Sequence, residues 1–302
     1  MSIKINYLKK VNNRPSTNVV LFCNEKFKIE NLKRYLNDIE FSYIKNLLKN
    51  NDLKKNLLIF ELSAIKKIVL ISIKEKLKSS DVENLGAEFY KRINFGKNNE
   101  YFLISDTIFT KIDNFLGHFL HGLKLKSYEF NKYKSKKEKK TISIHVTGNK
   151  NKPSQQSQIK FKALEEGTFY ARDLVSEPGN ILHPDEYAKR INSLRKYGLK
   201  INVYDDKKLK KLGMHALLGV GQGSIRGSYL VTMEWKGIKN NSKPLAFVGK
   251  GVCFDTGGYS LKPARFMEDM TYDMAGSATV VGLMKNFALR KAKINAVGVV
   301  GL

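Results

Sequence analysis

Short apolar runs alternate with longer amphipathic stretches through the first half of the chain. Asn18–Cys23, Leu57–Leu62, Ile68–Ile73 and Tyr101–Ile104 are runs of β-branched and large apolar residues of strand length. Between and after them, Phe41–Leu48, Val82–Ile93 and Ile112–Leu125 repeat apolar residues at helical spacing. Strands alternating with helices predict an α/β unit with a mainly parallel sheet. A lysine run broken by Ser135 and Glu138 fills Lys132–Lys140 and reads as solvated surface. A last strand, Thr141–Val146, follows it. The segment Gly148–Ser157 then lacks any apolar period, which places a domain boundary there and a first domain over residues 1–150.

The pattern resumes with a helix over Ile159–Val175, ended by Glu177-Pro178-Gly179. A second helix opens at Pro184, where a missing N–H is harmless in the first turn. Lys200–Tyr204, Tyr229–Trp235 and Leu245–Val248 read as strands, and Leu209–Leu217 as a short helix. A long glycine- and alanine-bearing helix is predicted from Asp273 to Leu289, and Ile294–Leu302 reads as a buried strand. Residues 159–302 thus form a second α/β domain. The sequence stops inside that apolar strand, with no turn or polar tail after it, and the expectation is a chain truncated within the domain.

Composition changes this picture little. At 302 residues the chain has room for two cores, and 42% hydrophobic residues argue against disorder. Charge matters more: 54 Lys and Arg against 28 Asp and Glu leave +26. Such a surface attracts phosphate nonspecifically. However, lysine is scattered along the whole chain with Asn, Ile, Phe and Tyr, as in compositional drift, while Arg, the usual reader of bases, is scarce. A noncatalytic, basic DNA-binding protein stays open as an alternative. Two distant cysteines, Cys23 and Cys253, each in an apolar run, predict no disulfide and a reducing, cytoplasmic setting. No signal peptide and no run of membrane-spanning length are read.

The candidate chemistry gathers between residues 248 and 276. Val248-Gly-Lys250-Gly-Val-Cys-Phe-Asp255-Thr-Gly257-Gly258 leads into Lys262-Pro263 and then Tyr272-Asp273-Met-Ala-Gly276. A lysine ending an apolar strand is expensive to desolvate unless a partner holds it. Binding a metal through its neutral amine, with carboxylates nearby, is one solution. Alone, Asp273 could be a helix N-cap, Lys262 a solvated loop lysine and Met270 core filler. Gly249-Lys250 is no phosphate loop, since Pro244 and Gly251 stand where that motif needs Gly and Ser or Thr. His118 and His121 lie three apart on one predicted helix with no carboxylate or cysteine cluster in sequence, and read as core or surface histidines.

These motifs resemble the leucyl aminopeptidase (cytosol aminopeptidase) family. So do Ala171-Arg-Asp-Leu-Val-Ser-Glu177-Pro-Gly-Asn-Ile-Leu182, Gly219-Val-Gly-Gln-Gly-Ser224 and Tyr128-Glu-Phe-Asn-Lys-Tyr-Lys134. The resemblance implies a smaller N-terminal α/β domain, a mixed-sheet α/β catalytic domain, and a cytoplasmic homo-hexamer. It also implies release of N-terminal residues, preferentially leucine, from peptides by two divalent ions, Mn or Zn. By the same resemblance Asp255 bridges the ions, Lys250 and Asp273 complete the weaker site, Lys262 is the charged catalytic lysine, and Met270 lines the pocket for the first substrate side chain. The family further uses an Asp-x-Glu-x-Arg motif, supplying two more carboxylates and an arginine, that the 302 residues do not contain. Little or no peptidase activity is therefore expected of this polypeptide.

Overall fold

The computed structural model describes residues 2–9, 15–50, 53, 55–93, 98–136, 141–239 and 242–302. The end of the lysine run, residues 137–140, lies outside them. The chain divides into two compact units, Met1–Phe161 and Lys162–Leu302.

In the first unit the elements run β1 (Ser2–Tyr7), β2 (Asn18–Asn24), α1 (Asp38–Lys49), β3 (Leu57–Glu61), β4 (Lys67–Ile73), α2 (Ser79–Ile93), β5 (Glu100–Ile104), α3 (Phe115–Lys126) and β6 (Thr141–Thr147). They build one six-stranded sheet in the order β1-β6-β5-β2-β4-β3. Every pairing is parallel except β3 on β4. β2 is apolar on both faces because both are covered. Val19, Leu21 and Cys23 face a core shared with Leu32, Tyr35 and Ile44, while Val20 and Phe22 face one shared with α2 and α3. Asn37 starts α1 through a reciprocal cap with Glu40: Asn37 Oδ1 accepts the Glu40 N–H at 2.8 Å, and Glu40 Oε2 accepts the Asn37 N–H at 3.1 Å.

Two expectations shift here. Strand β1 was not anticipated, although Ile3, Ile5 and Tyr7 alternate with Lys4 and Asn6 as a half-buried strand requires. Helix α3 begins at Phe115 rather than Ile112, after Asn114 in the left-handed region (φ 52°).

The second unit takes in most of α4 (Gln155–Val175), then α5 (Pro184–Asn192), β7 (Lys200–Tyr204), α6 (Asp206–Lys211), α7 (His215–Gly221), β8 (Leu230–Lys236), β9 (Leu245–Lys250), α8 (Ala264–Met267), α9 (Ala275–Leu289) and β10 (Asn295–Gly301). The helix expected over Leu209–Leu217 is two helices, split at Gly213 (φ +70°). The sheet order is β7-β8-β10-β9, with β9 parallel to β10 and the other pairs antiparallel. α9 covers the sheet, and its Ser277 Cα stands 2.6 Å from where a Cβ on Gly249 would sit. That close approach brings the start of α9 against the end of β9. The fold is thus α/β in both units, with two mixed sheets.

Candidate active site

Lys250 is the last residue of β9, in register with Gly301 of β10. The chain then leaves the sheet in a loop that carries Asp255 and Lys262. Gly257 (φ +95°) and Gly258 (φ +74°) turn it back on itself. A Cβ on Gly257 would lie 2.3 Å from the Ser260 carbonyl oxygen, so only glycine fits. The turn lets the Lys262 N–H donate to the Thr256 carbonyl at 2.9 Å. It also brings Lys262 Nζ to 2.8 Å from Asp255 Oδ2 and 3.3 Å from the Asp255 carbonyl oxygen. Asp255 Oδ1 accepts the Gly257 N–H at 2.8 Å. The Lys262 ammonium first, and then that N–H, hold the Asp255 carboxyl below the usual carboxylate range.

Gly257→Ala is therefore expected to destabilise the turn by about 1–3 kcal/mol and loosen the Lys262–Asp255 pair. Hydrogen exchange over residues 255–262 should quicken while α9 stays protected; unchanged exchange in the loop would contradict this.

Asp273 caps the short 3-10 turn Glu268–Tyr272, two residues before α9 begins. It is not the N-cap of α9, a position held by Met274. Its Oδ1 accepts from Lys250 Nζ at 2.7 Å, while Oδ2 is buried and has no hydrogen-bond partner. Behind it, the buried hydroxyls of Tyr187 and Ser277 lie 2.9 Å apart, and Ser277 donates to the Met274 carbonyl. Helix α5 is thereby tied to the first turn of α9. Two lysine–aspartate pairs thus gather at one corner of strand end, loop and helix start. Met270 is half-buried in the 3-10 turn, and its carbonyl accepts the Asp273 N–H.

An apolar hollow of about 550 Å³ opens beside Lys250, walled by Leu217, Val220, Val248 and Phe254. Asp255, Lys262 and Met270 are not among its lining residues. Sequence reasoning missed the polar group at its rim. His183 caps α5; its Nδ1 is 3.0 Å from Asp185 Oδ2, Tyr229 donates to Asp185 Oδ1 at 2.8 Å, and Arg226 lies 3.9 Å from the same carboxylate. Donation to Asp185 pushes the Tyr229 phenol up to about 12. The one signal was His183 before Pro184, a cap position next to a proline-started helix.

Cys253 is buried, its thiol pushed up to about 12 by burial, with Sγ 3.6 Å from the Gly251 carbonyl. It fills space. His118 sits 3.0 Å from Glu83, and the rings of His118 and His121 both pack on Phe161. Among the described residues no three His, Cys, Asp or Glu side chains converge as a metal site.

Does the corner suit a cation? The unsatisfied, buried Asp273 Oδ2 supplies the direct observation: a carboxylate oxygen with no donor is expensive unless something positive meets it. The carboxylates of Asp255 and Asp273 and the amine nitrogen of Lys250 fit a divalent ion in kind.

Residues 169–302 match the catalytic domain of the cytosol aminopeptidase family. Residues 169–302 are thus a stretch of that family's catalytic domain. A probable cytosol aminopeptidase of Brucella ovis is 50% identical over 191 residues, covering 60% of this chain and 38% of that protein. Its counterpart in Brucella anthropi is 43% identical over 250 residues, covering 80% and 50%. The chain therefore spans half or less of the length of these two curated relatives. The crystal structure of the Coxiella burnetii cytosol aminopeptidase shares the fold at a TM-score of 0.76 and 19% identity, covering 98% of this chain and 60% of that one. The bottromycin maturation enzyme BotP in complex with Mn shares it at 0.75 and 21%, covering 95% and 59%. Among the described residues, no helix is long and apolar enough to cross a membrane.

Proposed function

We propose that this corner serves a metal-dependent aminopeptidase centre that releases N-terminal residues, leucine preferred, from peptides. Lys250, Asp255 and Asp273 would hold two divalent ions, Mn or Zn. When bound, such ions lower the pKa of a water and polarise the scissile carbonyl. Lys262, paired with Asp255, would stabilise the oxygen that becomes negative. Met270 faces the first substrate side chain, and an apolar thioether there suits leucine. Within this reading the enzyme works in the cytoplasm as a homo-hexamer. The observation that carries it is the Lys250–Asp273 pair, whose second carboxylate oxygen is buried and unsatisfied, together with the Lys262–Asp255 pair.

Three protein ligands are few for two ions, since a catalytic zinc normally takes three for itself. The 302-residue polypeptide assayed alone on leucyl-p-nitroanilide with Mn should turn over weakly or not at all; rates near 1 s⁻¹ or above, ordinary for enzymes, would contradict that. A chimera extended with the remaining sequence of the Brucella ovis relative should show Mn-dependent turnover. Lys262→Ala should then lower its rate by about 10²–10³. A chimera that binds Mn yet never cleaves the substrate would defeat the reading.

A further inference from the structure

We propose that the first unit holds a mononucleotide-binding site where β2, β4 and β5 end. It stands apart from the peptidase reading and shares no residue with it. The topology singles out this place. After β2 the chain runs through the 3-10 turn Glu30–Tyr35 and α1 towards β3 and β4. After β5 it runs through α3 to β6, on the other side. Yet β2 and β5 are neighbours in the sheet. Connections that diverge from adjacent parallel strands leave a crevice at their carboxyl ends, where ligands of open α/β sheets bind.

Two cavities occupy that crevice, about 890 and 580 Å³, and they share Asn24, Lys28 and Phe109. Both are within the size range of small-ligand sites. The smaller one is lined by Tyr35, Asp106 and Thr107. Tyr35 is 2% exposed. Burial pushes its phenol up, while Arg34, whose guanidinium lies 4.6 Å over the ring, acts the other way through a side-chain hydrogen bond first and its charge second. Arg34 can only donate, so the hydroxyl's own proton has no acceptor, a standing penalty that a ligand acceptor would remove. The neighbouring polar groups are already engaged. Thr107 Oγ1 accepts the Phe22 N–H and donates to the Ile104 carbonyl, and Asp106 Oδ1 accepts the N–H groups of Asn149 and Lys150. Tyr35 is the hydroxyl left for a guest.

The larger cavity carries Lys26, Lys28, Lys74 and Lys111 against Glu25 and Glu75, a net positive lining that suits phosphate. Phe109, 55% exposed and common to both cavities, offers a ring for a base to stack on. The turn between these features puts Phe27, not a glycine, in the left-handed region (φ 50°), with its ring buried. A stacking ring, a buried hydroxyl and a lysine-lined mouth together match base, sugar edge and phosphate.

Calorimetric titration of the full chain with AMP, GMP and UMP, chelator present, tests this, with adenosine and inorganic phosphate as controls. At least one nucleotide should bind with Kd at or below about 1 mM, and both controls at least about tenfold more weakly. Lys28→Glu with Lys74→Glu should raise Kd about tenfold or more, and added salt should weaken the wild-type complex. Tyr35→Phe should weaken binding several-fold without lowering the melting temperature, because it deletes a buried donor that has no acceptor. No nucleotide binding at millimolar concentrations, phosphate alone binding as well as the nucleotide, or affinity untouched by these substitutions would overturn the proposal. So would a lower melting temperature in Tyr35→Phe.

Discussion

Gly122→Ala is expected to destabilise the first unit by about 3 kcal/mol, the upper end of ordinary overpacking. A Cβ on Gly122 would sit 1.9 Å from the Glu83 carbonyl oxygen, and one on Gly86 1.9 Å from the Phe119 carbonyl oxygen. Helices α2 and α3 therefore meet backbone to backbone at two glycines, one from each helix. Neither obstacle is a flexible side-chain tip that could swing aside. The same contact sets the His118–Glu83 pair at 3.0 Å and the aromatic packing of Phe89 on Phe119. Forcing the helices apart by even a methyl group loosens all of these together. Gly86→Ala should behave alike, and the double variant should lose less than the sum, since one separation relieves both clashes. Urea denaturation checks this. A loss under about 1 kcal/mol in Gly122→Ala would mean that the helices can slide apart freely.

How much of this was legible beforehand varied with the kind of information each feature needs. Strands β2 to β5 could be read because continuous apolar runs have few uses other than a sheet covered on both faces, and β6 because Ile142, Ile144 and Val146 alternate with polar residues. The pairing of Lys250, Asp255, Lys262 and Asp273 was legible as a motif, but not its form. The sequence could not show that Asp273 sits at the end of a 3-10 turn with one oxygen satisfied and the other bare. Chain direction over Lys250–Asp273 depends on Gly257 and Gly258 adopting positive φ, a choice that glycine permits without announcing. β1 escaped because five alternating positions at a terminus carry a weak period beside the long runs that follow. The cavity ends of β2, β4 and β5 were invisible for a different reason. Their residues come from three segments spread over about 90 positions, and only the strand order brings them together.

Arg190→Met should destabilise the second unit by about 3–5 kcal/mol, the range for taking one partner from a buried ion pair. Arg190 Nη1 is 2.9 Å from Glu177 Oε1, and the Glu177 side chain is 2% exposed. Its Nε is also 2.9 Å from Glu186 Oε1. One guanidinium thus serves a carboxylate after α4 and another on its own helix. This explains the motif Glu177-Pro178-Gly179 physically: the glutamate anchors the turn, and Gly179 behind it leaves room for Phe254, whose Cβ would lie 3.2 Å from an added methyl. Phe254 in turn walls the hollow beside Lys250. The pH dependence separates an electrostatic origin from lost packing. Arg190 holds the Glu186 carboxyl below its ordinary 4.5, so this contribution is complete above about pH 4.5 and fades as pH falls through the depressed folded value. The stability gap between wild type and Arg190→Met should therefore narrow as the pH is lowered from about 6 towards 3. A gap that stays constant over that range would assign the loss to the missing guanidinium packing and leave the Arg190–Glu186 pair without energetic weight.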